Sequence, residues 1–477
     1  MVKYFQIVEN NHYVPPGTPG HGFKGYLDIR LNDVESLNNQ TQFVEVLKVV
    51  ATASGQDPNQ LYDYLSHRDL NNASPRRDFE TGLFGIPSHI DMMGRRVTAG
   101  KPVLAVLNAT KPNGSKKYAL TLKTNSLVTK VLFDTTRRNN RKPRATGVEY
   151  LVGKSMYAAD PRYDPNAQGT KAQAFARKEV IISAGVFNSP QILKLSGIGP
   201  KTELKKFNIP IIVDLPGVGA NLQDNNEMAV VATAATDFVN MDISCGSQNA
   251  SDPCLDLWYQ GKGPYTHISS DALMYTSKSS TDGERDLFLW ASPGAYRGYW
   301  PFDTVNQVPF DPPSTFGFSM VKIHPQTNAG TVLLKSADPR DTPDINFKFW
   351  EGNAEGTDAD LNAIAEGIEF GRKVFDSVPA PLGPFKENFP CDADRDCDVK
   401  EVVRRQTFSH HATSTCAIGP DRDPLAVLDS RFRVRGTDGL RVVDGSAFPR
   451  TPGAFPVLPT FVLGEKATEV ILEDSWH

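Results

Sequence analysis

Val180-Ile181-Ile182 is a continuous apolar run that opens directly onto Ser183-Ala184-Gly185. Three branched residues without polar alternation suit a short, buried strand of a parallel sheet, and the small residues suit a tight exit from it. The residues that follow, GVFNSPQILKLSGIGP, read as a helix. Asn188 or Ser189 can cap it, Pro190 suits its first turn, Ile192, Leu193 and Leu195 supply its buried side, and Gly197 can end it. Strand, small-residue turn and capped helix together describe a nucleotide-binding α/β layer.

The remainder of the chain is long enough to build a second layer around this one. It has 477 residues, 39% hydrophobic and 22% charged, so a sizeable core is available. Residues 41–66 and 358–377 carry helical spacing, the latter with Leu361, Ile364, Ile368 and Val374 on one side. The stretch 118–133 reads as two short strands broken at Thr124-Asn125, and 145–151 as another. Between them, residues 136–144 (TRRNNRKPR) read as a solvated hairpin tip. Residues 316–335 alternate as a hairpin around Gln326–Gly330, and 430–443 read as two strands across Gly436–Gly439. A last helix follows Pro459. The first forty residues, rich in Pro and Gly, read as loop and edge structure. Residues 236–320, with Trp258, Trp290 and Trp300, read as loops covering a pocket. The expected architecture is an α/β layer from 118–235 and 410–477, interleaved with an α+β layer on an antiparallel sheet from 1–117 and 236–409.

Several functions are excluded early. Net charge is −4, which argues against nucleic acid as a partner, and no apolar run is long enough for a transmembrane helix. The first residues have no apolar core of a signal peptide. Two cysteine pairs lie close in sequence, Cys245 with Cys254 and Cys391 with Cys397. Their spacing does not suit zinc, and no metal is expected. They fit either loop disulfides of a secreted protein or free thiols. Sequons at Asn39, Asn72, Asn108, Asn113 and Asn249 add to the case for a glycoprotein on a secretory route.

Searches for G-x-S-x-G, H-E-x-x-H and the phosphate-binding P-loop find nothing. The dinucleotide fingerprint G-x-G-x-x-G is also not found; Gly197-Ile198-Gly199 and Gly217-Val218-Gly219 read as turns. Two features carry chemistry. His410-His411, in SHHATSTCAIG, offers imidazole, the usual group for moving a proton near neutral pH, although paired histidines in such a turn are commonly surface residues. The VVDGS run, 442–446, puts an acid at the end of a buried strand, where Asp444 can reach a nucleotide ribose or act as a helix cap.

These residues resemble a family. GVFNSPQILKLSGIGP (185–200), with LPGVGANLQDN (215–225), resembles the second signature of the glucose-methanol-choline (GMC) flavoprotein oxidoreductases, with Val186 where a small residue is usual. HATSTCAIG (411–419) and AVLDSRFRVRGTDGLRVVDGSAFP (426–449) resemble its carboxyl-terminal segment. HGFKGYLDIR (21–30) resembles its His-Gly-x-x-Gly loop. The resemblance implies FAD. It places Val128 beside the adenine, Ser183, Ala184 and Gly185 on the adenosine side, Asp444 and Gly445 near the ribityl-pyrophosphate region, and Pro456 and Val457 beside the flavin pyrimidine. It makes His411 the base that takes the hydroxyl proton of a small-molecule alcohol while hydride moves to flavin N5, with His410 as the alternative one residue away.

Two departures from the family qualify that expectation. Members begin with a strand, Gly-rich turn and helix for the FAD pyrophosphate, and this chain reads as starting after them, so the FAD-binding layer is expected to be incomplete at its amino end. The family's second catalytic residue, His or Asn, falls on Phe455, which can neither take a proton nor hydrogen-bond a substrate oxygen. Some fungal relatives in secondary metabolism, such as versicolorin B synthase, resemble the family yet perform a non-redox cyclisation. A cyclase or dehydratase on the same fold, and a truncated non-catalytic remnant, are therefore alternatives to an alcohol oxidoreductase.

Overall fold

In the computed structural model, residues 1–134, 142–238, 245, 252–267, 271–298, 311–352 and 354–475 are described. The chain forms two compact units. One comprises Met1–Ala105, Asn225–Ile323 and Glu355–Ser409; the other comprises Val106–Asp224, His324–Ala354 and His410–His477. The boundaries differ from those read in the sequence. Residues 324–354 join the second unit because Val332 N–H donates to Gly219 O (2.7 Å), Leu222 N–H to Gly330 O (3.0 Å) and the buried Lys194 ammonium to Val332 O (2.7 Å). Residues 225–235 join the first unit because Glu227–Thr233 is a strand of its sheet.

That sheet has six strands, all antiparallel, in the order Lys386–Phe389, Glu227–Thr233, Thr315–Lys322, Leu287–Pro293, Asp271–Tyr275, Gly82–Phe84. The central strands are buried on both faces, which is why their sequences do not alternate cleanly. Thr315–Lys322 pairs with its sheet neighbours rather than folding back as a hairpin. The Thr331–Leu333 strand pairs instead with Asp344–Asn346 in the other unit. Two strands, Asp271–Tyr275 and Leu287–Pro293, lie inside the stretch read as covering loops; Trp300 lies outside the described residues. The helix Ala354–Ser377 brings Phe370 and Phe375 against Phe318, and Phe316 and Phe385 complete the aromatic core.

The first forty residues are more ordered than their Pro and Gly content suggests. Val2–Val8 is a helix, and Glu9–Asn11 pairs in parallel with Leu27–Ile29. Gly22 and Gly25 let the chain cross that turn closely, because a side chain on either would strike the carbonyls of Gln6 and Val8. His21 is buried between Glu9 (3.0 Å) and Asp69 (2.8 Å). Burial disfavours its charge, but hydrogen bonds to Asp69 and Glu9 outweigh this and raise its pKa to about 9. Disulfides join Cys245 to Cys254 and Cys391 to Cys397, which resolves the alternatives left by their spacing.

The second unit holds the α/β layer. Val180–Ile182 pairs in parallel with Leu440–Val442, in the register Leu440↔Val180, Arg441↔Ile181, Val442↔Ile182. Val180 and Ile182 face the core, while Ile181 is 44% exposed, and the sheet has these two strands among the described residues. Beside it lies a three-stranded antiparallel sheet of Ser126–Asp134, Arg144–Val152 and Thr170–Phe175. Residues 118–124 form no strand: Asn125 turns through φ 51° and the chain before it is exposed. Most of the basic tip, 136–141, lies outside the described residues. Leu440–Val442 is one strand where two were expected, its neighbour Arg433 forming a single bridge to Arg441. No helix among the described residues is long and apolar enough to cross a membrane.

One buried group in the first unit makes pH part of its stability. Asp271 lines a cavity of ≈ 10 Å³ together with Phe43, Asn32 and Asp33, and burial alone raises its pKa to about 7. The unfolded carboxyl ionises near pH 4 while the folded one keeps its proton until about pH 7. Stability should therefore fall as pH rises through this window, by a contribution on the order of 4 kcal/mol. Asp271→Asn should lose that dependence: urea unfolding at pH 5 and pH 8 should show the variant gaining on the wild type at the higher pH. A stability difference that does not change with pH would contradict the assignment.

Candidate active site

The exit of the Val180–Ile182 strand is built around one carboxylate. Ser183 and Ala184 are exposed, and Gly185, at φ +83°, starts the helix Gly185–Leu195. A side chain at Gly185 would be strained at this φ, although open space surrounds the position. The helix starts earlier than its sequence suggests, so Pro190 lies inside it and Ser189 is not its cap. Ser189 instead donates its hydroxyl to Asp444 (2.5 Å). Asp444 also accepts the Gly185 N–H (2.9 Å), the Ser446 N–H (2.8 Å) and the Ser446 hydroxyl (2.5 Å). Two hydrogen bonds on each oxygen fill the acceptor capacity of a carboxylate. Asp444 thus caps the short Gly445–Ala447 turn and ties it to the helix start. Gly445, packed close to Val186, follows immediately.

The loop from 411 runs alongside this turn. Ser414 N–H donates to Gly445 O (3.1 Å), Cys416 N–H to Ser446 O (2.8 Å) and Ile418 N–H to Ala447 O (3.1 Å). Burial, then the Asp444 carboxylate, pushes the Cys416 thiol up, so it stays protonated and is not a nucleophile. Of the two histidines, His410 is exposed and His411 is 6% exposed. Their rings lie 4.0 Å apart. The His411 N–H donates to Asp224 (2.8 Å), and its ring meets Phe455 edge to face, with centroids 5.0 Å apart and planes at 88°. Pro456 follows, its carbonyl accepting from Thr460 N–H (2.9 Å), and Val457 is the first residue of the helix Val457–Ser475 rather than a residue before it.

Most of the residues singled out in the sequence are thus linked. Gly185, Asp444 and Gly445 are joined directly, with Ser183 and Ala184 adjoining them. Ser414 connects that group to the His411 loop, and Phe455 connects His411 to Pro456 and Val457. Val128 is half-buried on Ser126–Asp134 and packs against the same core. Gln223, Asp224 and Thr413 fall within the runs that carry the family resemblance and Thr451 lies just outside them, and no local signal in the sequence assigns any of the four a role. These polar residues are all buried. Asn-Leu-Gln-Asp at 221–224 is visible in the sequence, but its partners lie 187 and 228 residues away.

The residues present fit FAD. Exposed small residues at the carboxyl end of a parallel strand pair, next to a helix start, are where open α/β sheets take nucleotides. Ser183, Ala184 and Gly185 present main chain there, and the start of the 19-residue last helix adds a positive dipole end. Asp444 fits as the group that shapes this surface, its oxygens being already engaged.

Residues 107–227 and 325–464 match two segments of the GMC oxidoreductases. The chain is 32% identical over 379 residues to "Glucose methanol choline oxidoreductase atC" of Aspergillus terreus, covering 74% of this chain and 55% of that protein. It is 30% identical over 435 residues to an oxygen-dependent choline dehydrogenase of Pseudomonas syringae pv. syringae, covering 89% and 68%. Its fold matches that of a formate oxidase with a TM-score of 0.76 at 22% identity, covering 99% of this chain and 78% of that one. The chain belongs to the GMC oxidoreductase family, whose cofactor is FAD. It spans about half the length of some curated relatives, 55% of the Aspergillus terreus protein and 52% of human mitochondrial choline dehydrogenase.

If Asp444 holds the strand exit together, removing it leaves buried donors on Ser189 and Ser446, and the half-buried Gly185 N–H, without an acceptor. Asp444→Ala should lower the unfolding free energy by about 3 kcal/mol, read from urea denaturation. A loss below about 0.5 kcal/mol, the size of an ordinary surface substitution, would contradict this role.

Proposed function

We propose that this chain works as an FAD-dependent oxidoreductase that oxidises an alcohol group on a small organic molecule, with His411 as the base. The observation that carries the reading is the setting of His411. It is a buried imidazole, fixed at its main chain by Asp224, whose ring meets Phe455 two residues before the start of the last helix. Taking the hydroxyl proton raises electron density on the carbinol carbon, so its C–H bond can break with both electrons leaving as hydride. FAD, when bound, supplies the acceptor for that hydride. His411 keeps the proton, and the amide dipoles at the start of the Val457–Ser475 helix favour negative charge beside Pro456 and Val457. Relatives named for choline and formate support a small organic substrate.

A second reading is favoured by Phe455. With phenylalanine as the partner of His411, no second polar side chain from that position reaches the substrate oxygen, and proton transfer by His411 alone would suit a cyclase or dehydratase on the same fold. The same departure motivates a place in fungal-type secondary metabolism. The disulfides, with exposed sequon residues Asn39, Asn108 and Asn113, support a secretory route.

The purified chain, supplied with FAD, should show the two flavin absorption bands after desalting. His411→Ala should keep those bands but slow anaerobic flavin reduction by about 10²- to 10⁴-fold. Unchanged reduction would overturn the role of His411, and a colourless protein would overturn the cofactor reading. Product formed in full without any electron acceptor would favour the cyclase.

A further inference from the structure

Residues 221–224 act as a clip on the two loops that bring His411 and Phe455 together. Three chain segments meet there: 221–224, 411–414 and 449–451. Asp224 accepts the His411 N–H at 2.8 Å. Gln223 and Thr413 pair through their main chains in both directions (2.8 and 3.3 Å). The Gln223 side-chain carbonyl accepts the Thr451 N–H at 3.2 Å, while its amide donates to Asn221 Oδ1 at 2.8 Å. The hydroxyls of Thr413 and Thr451 meet at 3.1 Å, and Ser414 donates its hydroxyl to Thr413 at 3.0 Å. Asn221 donates to the carbonyls of Ser414 (3.3 Å) and Pro449 (3.4 Å).

Burial sets this clip apart from ordinary loop packing, and its backbone conformation adds to it. Gln223, Asp224, Thr413, Ser414 and Thr451 are all buried polar residues, so each bond lost would leave a polar group out of reach of water. Asn221 and Ser414 are both non-glycine residues in the left-handed region, at φ 58° and 78°, and they are bonded to each other. Asn adopts this conformation readily, whereas for Ser414 it is less common and is held by the hydrogen bonds just described. Ser414 lies three residues after His411, and Asn221 bonds its carbonyl and that of Pro449.

We propose that Asp224 and Gln223 are positioning residues for the reaction: Asp224 fixes the main chain of His411, and Gln223 fixes the Thr451 loop, so that together they set the angle between the His411 imidazole and the Phe455 ring. The proposal rests on His411 being the base, but its structural half stands apart from that. It is a claim about geometry, because neither residue is asked to touch substrate or cofactor.

The test compares Asp224→Ala, Asp224→Asn and Gln223→Ala with the wild-type chain loaded with FAD. The first readout is independent of turnover: hydrogen exchange at the His411 amide, and the histidine ring signals of protein labelled with ¹³C-histidine, assigned with His411→Ala. Asp224→Ala should speed exchange at the His411 amide by at least about 10-fold and shift its ring signal as the contact with the Phe455 ring changes, while Asp224→Asn, which keeps an oxygen in place, should restore both. Gln223→Ala should shift the His411 ring signal with less change at its amide. The second readout is kinetic, with a simple alcohol that reduces the flavin of the wild-type chain as the probe substrate. Asp224→Ala should lower kcat by about 10- to 100-fold with KM within about threefold, and Asp224→Asn should recover most of it. If His411 exchange and ring signals are unmoved in Asp224→Ala, the inference is overturned, whatever the activity. If Asp224→Asn is as impaired as Asp224→Ala, or exchange rises uniformly through the unit, the residues are merely structural and the inference is again overturned. If the ring moves as expected while His411→Ala remains fully active, the positioning stands and it is the reading of His411 as base that fails.

Discussion

The carboxylate of Asp444 is the point on which the α/β unit closes. It lies at the end of one strand of a parallel pair and accepts two hydrogens from the helix that follows the other, across separations of 255 and 259 residues. Its remaining capacity closes its own turn on Ser446. Because Ser414 and Cys416 then hydrogen-bond along that turn, the loop bearing His411 is aligned by the same group. A charged acceptor makes stronger bonds than a neutral one, so this geometry is stiffer than a chain of main-chain contacts would give. The strand exit is thereby set with Ser183 and Ala184 left exposed.

How much of this could be read from the sequence depended on how local the cause was. Val180–Ile182, its small-residue exit and the helix after it are consequences of neighbouring residues, and all three are present in the fold. The start of that helix was misplaced because Ser189 looks like a cap but is drawn to Asp444, a partner far along the chain. The same reason explains the hairpin expected at 316–335. Alternation placed strands correctly at Thr315–Lys322 and Thr331–Leu333, but it carries no information on which strand each will pair with. Residues 324–354 therefore fell into the wrong unit.

The site shows the same division. His410 and His411 cannot be ranked by composition, since both sit in one Ser/Thr-rich turn. Only the fold buries one and exposes the other. Asp444 drew attention as an acid ending a strand, and both of its possible uses were visible. The geometry gives it the capping one, with two hydroxyls and two amides on its oxygens. Gln223 and Asp224 stand inside LPGVGANLQDN, a run that carries the family resemblance, but nothing local shows what either does, because a polar residue that works through another chain segment looks like any loop residue until that segment is in place. Phe455 was conspicuous as a departure from a family pattern, and its edge-to-face contact gives the departure a physical form.

The central claim is that His411 is placed to take a proton from a substrate lying against a flavin. An experimental structure of the chain reconstituted with FAD tests this most directly, since it needs no knowledge of the substrate. The account predicts an isoalloxazine ring at the start of the Val457–Ser475 helix with the His411 imidazole facing it across a gap that admits a carbinol. A ring bound elsewhere, or an imidazole turned away from it with protein filling the space between, would contradict the account.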